Sequence, residues 1–268
     1  MNQQSRVAVV GAGIMGEALI SALISSGVNP ELITISEKRA DRSAELIAKY
    51  SIKQAPLATN VVGADALLLV VKPQDMAAVL EEIKGFINPA AVVITFVAGK
   101  TISFIRSALS TANPVIRVMP NTPTMVGAGM AAASMGTGVT DAHKKFVLGF
   151  LAATGKVIEV SEDLQDAVTA TSGSGPAYFF RFVEAMVDGS VAMGLSREDA
   201  TTLTIQTIVG AAALLDESGD TPTRLREKVT SLKGATAEAL AVFDDAGISK
   251  IVADAMAASA RRAGELAQ

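Results

Sequence analysis

Short apolar segments alternate with longer helical stretches from the start of the chain to about residue 160. The apolar runs, rich in β-branched residues, cover 7–10, 32–35, 66–71, 91–95, 115–118 and 156–160. The earlier runs are apolar at successive positions rather than at every second position, which is typical of parallel strands covered by helices on both faces. The pattern therefore predicts a mostly parallel sheet with crossover helices, the first over 15–25 with Gly27 as a C-cap.

The chain changes character after residue 162. Strand-like runs disappear, and the remaining hundred or so residues have the pattern of helices separated by short caps. Ser196 is a good N-cap for one of these helices, because acidic residues follow it in the first turn. The stretch 200–215 carries no charge, and a helix that is apolar all round is normally buried. We therefore expect a domain boundary near residue 162 and a partner that covers this helix, such as a second subunit.

Composition and charge exclude several classes of protein. The chain has a formal net charge of −4 and no run of Lys or Arg, so we expect no nucleic-acid partner. Its longest uncharged stretch, 118–140, contains Pro120 and Pro123, which argues against a membrane span. There is no cysteine and one histidine, so we expect neither a metal site nor a Ser/His/Asp triad, and a reducing cytoplasm fits the composition.

A glycine-rich segment follows the first predicted strand. Gly11-Ala12-Gly13-Ile14-Met15-Gly16 has the spacing Gly-x-Gly-x-x-Gly, and it lies between a strand and a helix. A tight structural turn would explain the glycines alone, but this context is typical of a loop that receives a pyrophosphate at a helix N-terminus. The sequence therefore predicts an α/β fold with a Rossmann-type dinucleotide-binding domain over 1–162 and an all-α domain over 163–268.

The end of the second strand should contact the adenosine ribose, and here the signals conflict. Glu37 could accept a hydrogen bond from the ribose 2′-hydroxyl of NADH, whereas Lys38 and Arg39 could neutralise the 2′-phosphate of NADPH. Solvated charges at a strand end are the alternative explanation for each of them. Two adjacent cations favour NADPH, with NADH still possible.

Four further motifs follow in order along the chain. They are Val70-Val71-Lys72-Pro73-Gln74, Arg117-Val118-Met119-Pro120-Asn121-Thr122-Pro123, Ser172-Gly173-Ser174-Gly175-Pro176-Ala177-Tyr178 and Val229-Thr230-Ser231-Leu232-Lys233-Gly234-Ala235-Thr236. This ordered set resembles the pyrroline-5-carboxylate reductase family over nearly the whole chain. The resemblance implies reduction of 1-pyrroline-5-carboxylate to L-proline by hydride transfer from NAD(P)H, the last step of proline biosynthesis.

The resemblance also implies an organisation and a set of site residues. The helical domain should form at least a homodimer, with each active site completed across the subunit boundary and dimers able to gather into rings. Thr236 should hydrogen-bond the imine nitrogen as the catalytic residue, although a plain N-cap would also explain a threonine there. The substrate site would comprise Ser231, Gly234, Ala235 and Thr236. The cofactor site would comprise Gly11, Gly13, Ile14, Met15, Gly16, Ser36, Lys38, Arg39, Val71, Lys72, Pro73, Asn121 and Thr122.

The chain departs from the family pattern in the substrate loop. The family usually has Pro-Gly where this chain has Leu232-Lys233, and a threonine at the position of Ala235. A glycine at position 233 would allow a positive φ, which lysine adopts less easily, so the loop is expected to differ in detail. Lys233 could add a cation near the substrate carboxylate or face solvent.

Two other functions fit parts of the sequence. A β-hydroxyacid dehydrogenase shares the domain plan, but it would need a catalytic lysine just after the glycine-rich segment at 172–175, and the residues that follow Pro176 include none before Arg181. A cofactor sensor without catalysis would also need the glycine loop. It would leave the loop that ends in Thr236 without a role, so a reductase is the better interpretation.

Overall fold

One eight-stranded sheet organises the first part of the chain in the computed structural model, which describes residues 4–266. Its order is β3-β2-β1-β4-β5-β6-β7-β8, and all neighbours are parallel except β6 and β7. The strands are β1 Val7–Val10, β2 Ile33–Ser36, β3 Lys53–Gln54, β4 Ala66–Leu69, β5 Val92–Thr95, β6 Val115–Met119, β7 Gly129–Met135 and β8 Gly155–Glu159.

Helices connect the strands and form the rest of the chain. The α-helices are α1 Ile14–Ser25, α2 Ala40–Tyr50, α3 Leu57–Val61, α4 Met76–Ile83, α5 Ile102–Leu109, α6 Asp141–Ala152, α7 Gln165–Val168, α8 Gly175–Ala192, α9 Arg197–Glu217, α10 Pro222–Lys228, α11 Ala235–Asp245 and α12 Ile248–Glu265. A π-helical turn, Thr169–Gly173, separates α7 from α8. Short 3₁₀ turns precede β2, α4, β7 and α7.

Two apolar clusters lie on opposite faces of the sheet, because successive side chains of a strand point to opposite sides. In β1, Val7 and Val9 belong to one cluster, and Ala8 and Val10 belong to the other. All four side chains are buried, as the continuous apolar run predicted. The double covering fixes the sheet in place, so the loops at its carboxyl edge start from rigid strand ends.

Most predicted strands and the first predicted helix are present in the structure, but some of them begin or end one or two residues away from the predicted positions. The first helix begins at Ile14, and Gly27 has a φ of +94° just beyond its end, as expected of a glycine that stops a helix. Two strands were not predicted as separate elements. β3 has only two residues, and β7 is the antiparallel partner of β6, built largely from Gly, Ala, Ser and Met rather than from β-branched residues.

The described chain forms two compact units, and the boundary between them is not at residue 162. One compact unit is Gly175–Ala257, and the other described residues form the second unit. The short helical turns over 162–174 therefore group with the sheet, whereas the predicted domain boundary at 162 stays a prediction.

The helical unit buries few of its own side chains. In α9 only Ala200 and Thr204 are buried, although Ser196 caps the helix as predicted by accepting a hydrogen bond from the Asp199 N–H. Apolar side chains of this helix are exposed in the single chain, among them Leu203, Val209 and Leu214. Several large apolar side chains exposed on one helix are characteristic of a region that is covered by a partner. Within residues 4–266, no helix is long and apolar enough to cross a membrane.

Candidate active site

The glycine loop connects β1 to α1 at the carboxyl edge of the sheet. Gly11 has a φ of +89°, and a Cβ there would lie 2.7 Å from the Val70 carbonyl oxygen. Its N–H donates to the Ser36 carbonyl oxygen at 2.9 Å, which ties the loop to the end of β2. Gly11 therefore supplies the tight turn that the sequence predicted, since a side chain is excluded by both conformation and space.

Gly13 and Gly16 have different surroundings. A Cβ on Gly16 would lie 2.4 Å from the Gly11 carbonyl oxygen, so this glycine allows the helix to pack on the loop. A Cβ on Gly13 would meet no heavy atom of the described residues within 4 Å, and the φ of Gly13 is −65°. The space at Gly13 and the unpaired N–H groups of the first turn of α1 fit a pyrophosphate.

Because Gly13 has open space and Gly16 does not, we predict that Gly13→Ala weakens cofactor binding without destabilising the fold. Because the residue has an ordinary φ and open space, alanine should leave the thermal unfolding temperature nearly unchanged. The added methyl group should nevertheless obstruct a pyrophosphate and raise the dissociation constant of NADPH about tenfold or more. Differential scanning fluorimetry and fluorescence titration check the two parts. A destabilised variant with unchanged affinity would contradict the assignment.

A cleft of about 790 Å³ adjoins the loop. It is bounded by the ends of β1, β2 and β4 and by the segment after β3. Ligands of open parallel sheets bind beyond the carboxyl ends of the strands, and this cleft has that position. Of the predicted cofactor residues, it is lined by Gly11, Gly13, Ser36, Lys38, Arg39, Val71 and Lys72.

Other predicted cofactor residues lie next to this cleft rather than in its lining. Pro73 begins the 3₁₀ turn Pro73–Asp75 directly after Lys72. Ile14 and Met15 are the first two residues of α1, and the Ile14 side chain is 67% exposed. An exposed isoleucine at the start of a helix offers an apolar contact beside the open space at Gly13.

The charged residues after β2 differ sharply in exposure. The Glu37 side chain is 12% exposed, whereas those of Lys38 and Arg39 are 87% and 60% exposed. Glu37 accepts hydrogen bonds from the backbone N–H groups of Ala12 at 2.9 Å and Arg39 at 3.0 Å. The carboxylate that favoured NADH is thus engaged with the protein backbone. The two cations are largely exposed, with Lys38 Nζ 3.9 Å from Asp75 and Arg39 Nε 3.8 Å from Glu37.

Ser36 has a structural contact that the sequence did not indicate. Its hydroxyl donates to the Ala55 carbonyl oxygen at 3.0 Å and accepts from Asn60 Nδ2 at 2.9 Å. The side chain therefore links the end of β2 to the segment after β3. Its predicted contact with the cofactor stays a prediction.

Glu17 lies in the first turn of α1 and is almost completely buried. Burial raises its pKa, but hydrogen bonds from Lys49, Arg42 and Tyr50 outweigh that effect and lower the pKa to about 2. The Lys49 Nζ and Tyr50 hydroxyl distances to Oε1 are 2.8 and 3.1 Å, and Arg42 Nη2 contacts Oε2. Glu17 therefore remains charged through the physiological range and joins α1 to α2.

This cluster predicts a defined acid sensitivity. Because the folded-state pKa of Glu17 lies below its ordinary value of 4.5, its ionised form stabilises the fold above pH 4.5, and this contribution is lost as the pH falls towards 2. In Glu17→Gln, the free energy of unfolding should be lower at neutral pH and should fall less between pH 4.5 and 3. Urea unfolding at several pH values checks this, and parallel pH profiles for both proteins would contradict it.

Two of the predicted cofactor residues, Asn121 and Thr122, follow β6. The buried Asn121 carboxamide donates to the Ser172 carbonyl oxygen at 3.1 Å and accepts from the Met130 N–H at 2.8 Å. It therefore holds the start of β7 and the π-helical turn. Thr122 is exposed and begins the 3₁₀ turn Thr122–Val126. Contact of either residue with a cofactor stays a prediction.

Arg117 is a buried cation in the middle of β6. Its guanidinium lies 3.5 Å from Glu162 Oε1 and 3.7 Å from Asp166 Oδ1, and its side chain is only 6% exposed. Glu162 Oε1 also accepts from the Ile102 N–H at 2.7 Å. Arg117 thus connects β6, which leads to Asn121, to the turns before α8. Through Glu162 it is also connected to the start of α5.

The predicted substrate loop precedes α11, which begins at Ala235. Its N-cap is Gly234, so the alternative role of Thr236 as a plain N-cap is excluded. Thr236 is the second residue of the helix and is exposed, and its hydroxyl has no hydrogen-bond partner among residues 4–266. Four other helices have a Ser or Thr cap that accepts a backbone hydrogen bond, namely α5, α6, α9 and α10.

Ser231 explains why glycine caps α11. A Cβ on Gly234 would lie 2.2 Å from Ser231 Oγ, so a larger capping residue would require the Ser231 side chain to move. The first N–H groups of α11 consequently lack a side-chain cap, and they lie beside two hydroxyls, those of Ser231 and Thr236. A helix start of this kind favours an anion.

Lys233 has a positive φ in the substrate loop. Its φ is +57°, which is in the left-handed region that lysine adopts less easily than glycine. The side chain is exposed, in agreement with the solvent-facing alternative. Lysine therefore has the positive φ here that it was expected to adopt less easily than glycine, and the expectation that the loop differs in detail from the family stays a prediction.

One segment was overlooked in the sequence. Residues 96–100 follow β5, which is the next strand after β4 in the sheet, so they start from the same carboxyl edge as the glycine loop. Gly99 has a φ of +75°, and a Cβ there would lie 2.8 Å from the backbone of Leu266. The position after a buried parallel strand was the available signal. In the described part of the chain, no three His, Asp or Glu side chains cluster as metal ligands.

Comparison with known proteins places these features in a family. A model described as pyrroline-5-carboxylate reductase dimerisation matches residues 162–266, and one described as NADP oxidoreductase coenzyme F420-dependent matches residues 6–99. The pyrroline-5-carboxylate reductase of Mycobacterium leprae is 36% identical, over 99% of this chain and 98% of the relative. The chain belongs to the pyrroline-5-carboxylate reductase family. A relative of the same name from Mycobacterium tuberculosis is 38% identical, over 98% of this chain and 97% of its own.

Solved structures of this family have the same fold. A pyrroline-5-carboxylate reductase from Coxiella burnetii superposes with a TM-score of 0.91, at 32% identity and 99% coverage of both chains. The Plasmodium falciparum pyrroline carboxylate reductase with NADP bound gives 0.89, at 25% identity and 100% coverage of both chains. A prephenate dehydrogenase from Aquifex aeolicus, at 14% identity and a TM-score of 0.56, shares the fold alone. The predicted family and the α/β fold class with a helical dimerisation domain are confirmed.

Proposed function

We propose that this protein reduces 1-pyrroline-5-carboxylate to L-proline with hydride from NADPH, the last step of proline biosynthesis. Membership of the family supports the reaction, because its relatives are named for it. The observation that carries the proposal is the free Thr236 hydroxyl beside an α11 N-terminus without a side-chain cap. That combination of an anion site and a hydroxyl donor matches a substrate with a carboxylate and an imine nitrogen.

In this mechanism the protein orients the imine and supplies the polar contacts. The N–H groups of Ala235 and Thr236, with the Ser231 hydroxyl, receive the carboxylate at the helix start. The Thr236 hydroxyl donates a hydrogen bond to the imine nitrogen. This nitrogen gains a proton that comes from solvent water as hydride reaches the neighbouring ring carbon. Polarising and orienting the C=N bond is the contribution of the protein to the rate.

The glycine loop and the cleft at the end of β2 would hold the dinucleotide. NADPH supplies the hydride when bound, so the protein need only position it. The loop takes its shape from Gly11, Gly13 and Gly16. A 2′-phosphate would be bound by the exposed cations Lys38 and Arg39. Engagement of the Glu37 carboxylate with the backbone supports NADPH over NADH, and the NADP-bound relative has the same fold.

We also propose that the protein is at least a homodimer of the cytoplasm. The dimerisation model covers the helical region, and the exposed apolar side chains of α9 need a partner surface. A chain without cysteine suits a reducing compartment. The net charge of −4 disfavours nucleic acid as a partner, and its substrate is a small molecule.

A side-by-side assay tests the proposed activity. NADPH and NADH oxidation should be followed with 1-pyrroline-5-carboxylate and, as a control, with a β-keto acid. We expect rapid oxidation of NADPH with the imine, slower oxidation of NADH and none with the keto acid. NADPH binding without consumption would favour a cofactor sensor, and turnover of the keto acid would favour a hydroxyacid dehydrogenase.

A further inference from the structure

The middle residue of the glycine loop is held by charged side chains from outside the loop. Ala12 is fully buried, and its N–H donates to Glu37 Oε2 at 2.9 Å. Its carbonyl oxygen accepts from Arg42 Nε at 3.1 Å. Both backbone polar groups of this residue therefore bond to side chains that follow β2 in sequence, and the peptide units on either side of Ala12 are fixed.

Each of these two side chains is held in turn by other groups. Glu37 Oε1 accepts from the Arg39 N–H at 3.0 Å, and Arg39 Nε lies 3.8 Å away. Arg42 contacts Glu17 through Nη2 and Glu45 through Nη1, the latter at 2.7 Å. Because the Glu37 and Arg42 side chains are only 12% exposed, solvent competes weakly for these bonds.

We propose that Glu37 and Arg42 are positioning residues that hold the glycine loop in its pyrophosphate-binding conformation. In this proposal, which rests on the proposed function, Glu37 does not select between cofactors through the ribose. A carboxylate in the cleft would repel a 2′-phosphate, but here two N–H groups and the Arg39 guanidinium balance its charge. The exposed Lys38 and Arg39 side chains are left to set the preference for NADPH.

The two roles of Glu37 predict different patterns of affinity. A ribose acceptor contacts only ligands with a free 2′-hydroxyl, so its loss would weaken NADH, and ADP with it, but not NADPH. A loop-positioning residue acts on the pyrophosphate, which both cofactors share, so its loss would weaken both equally. Titration of the apo protein with NADPH and NADH, followed by nicotinamide fluorescence, separates the two. ADP, measured by its displacement of NADPH, serves as a third probe without nicotinamide.

In Glu37→Gln the amide can accept only one of the two N–H bonds, and its NH₂ group faces the other donor. We expect the dissociation constants of NADPH, NADH and ADP to rise together, by about tenfold, because a charge-assisted bond to the loop is lost. The KM for NADPH should rise with them while kcat stays near its original value. Lys38→Ala combined with Arg39→Ala should weaken NADPH alone, and Glu81→Gln, an exposed carboxylate outside the cleft, should change none of them.

Two results would overturn the proposal. Selective loss of NADH affinity in Glu37→Gln would make Glu37 a ribose acceptor, and unchanged dissociation constants would show that the loop does not need it. Circular dichroism of the apo variants identifies a temperature at which they are folded, and the titrations are done there. If Glu37→Gln does not fold, Glu37→Asp provides a second variant. Because these titrations need no turnover, a protein that binds NADPH but fails to reduce the imine would refute only the proposed function.

Discussion

Replacing Thr236 with alanine is expected to lower kcat by about 100-fold and to leave the dissociation constant of NADPH unchanged. The magnitude is typical of removing one hydrogen-bond donor that acts on charge developing in a transition state. The hydroxyl is exposed, has no partner within residues 4–266 and does not cap the helix, so its loss should disturb the fold little. Steady-state kinetics with 1-pyrroline-5-carboxylate and an NADPH titration measure the two quantities.

Thr236→Ser is the matched control, because it keeps the hydroxyl and removes one methyl group. It should retain most of the activity that the alanine variant loses. Equal rates for the original protein and for Thr236→Ala would refute the assignment. A large loss in Thr236→Ser as well would indicate that packing of the side chain matters rather than its hydroxyl.

Arg117→Ala is expected to lower the free energy of unfolding by about 3 kcal/mol. Removing one partner from a buried ion pair leaves the opposite charges without compensation, which typically costs 3–5 kcal/mol. The lower end applies here because the Glu162 and Asp166 side chains are 31% and 39% exposed and can be partly solvated. Urea unfolding monitored by circular dichroism measures the change.

Arg262→Ala provides a control for the loss of an arginine at the surface. Its guanidinium pairs with Glu265 at 2.8 Å, but the side chain is 68% exposed, so the cost should be below about 1 kcal/mol. Similar losses in the two variants would contradict the special role of Arg117. Arg117→Met should be less harmful than Arg117→Ala, since it fills the space that alanine would leave empty.

The sequence predicted the parts of the fold that depend on local pattern. Continuous apolar runs such as β1 and β4 are recognisable because both faces of these strands are buried. The glycine loop was recognisable because only glycine satisfies the positive φ of Gly11 and the close approach at Gly16. The ordered motifs indicated the family, since they occur at strand ends and helix starts along the whole chain.

Features that depend on contacts between distant parts of the chain could not be predicted from the sequence. The Glu37 carboxylate accepts a hydrogen bond from the N–H of Ala12, 25 positions away. The sequence around Glu37 does not show this contact, so it could not decide between NADH and NADPH. The start of α11 is set by Ser231 against Gly234, which left Thr236 inside the helix rather than at its cap. β7 has weak strand propensity and forms because β6 offers it a partner.

Transfer of an isotopic label tests the central claim most directly. The protein should be incubated with 1-pyrroline-5-carboxylate and NADPH that carries deuterium on the transferable position of nicotinamide C4, and the product should be analysed by mass spectrometry. The account predicts L-proline with one deuterium at C5, formed in equal amount to the NADPH consumed. Proline without deuterium, or no proline from a protein that binds NADPH, would contradict it.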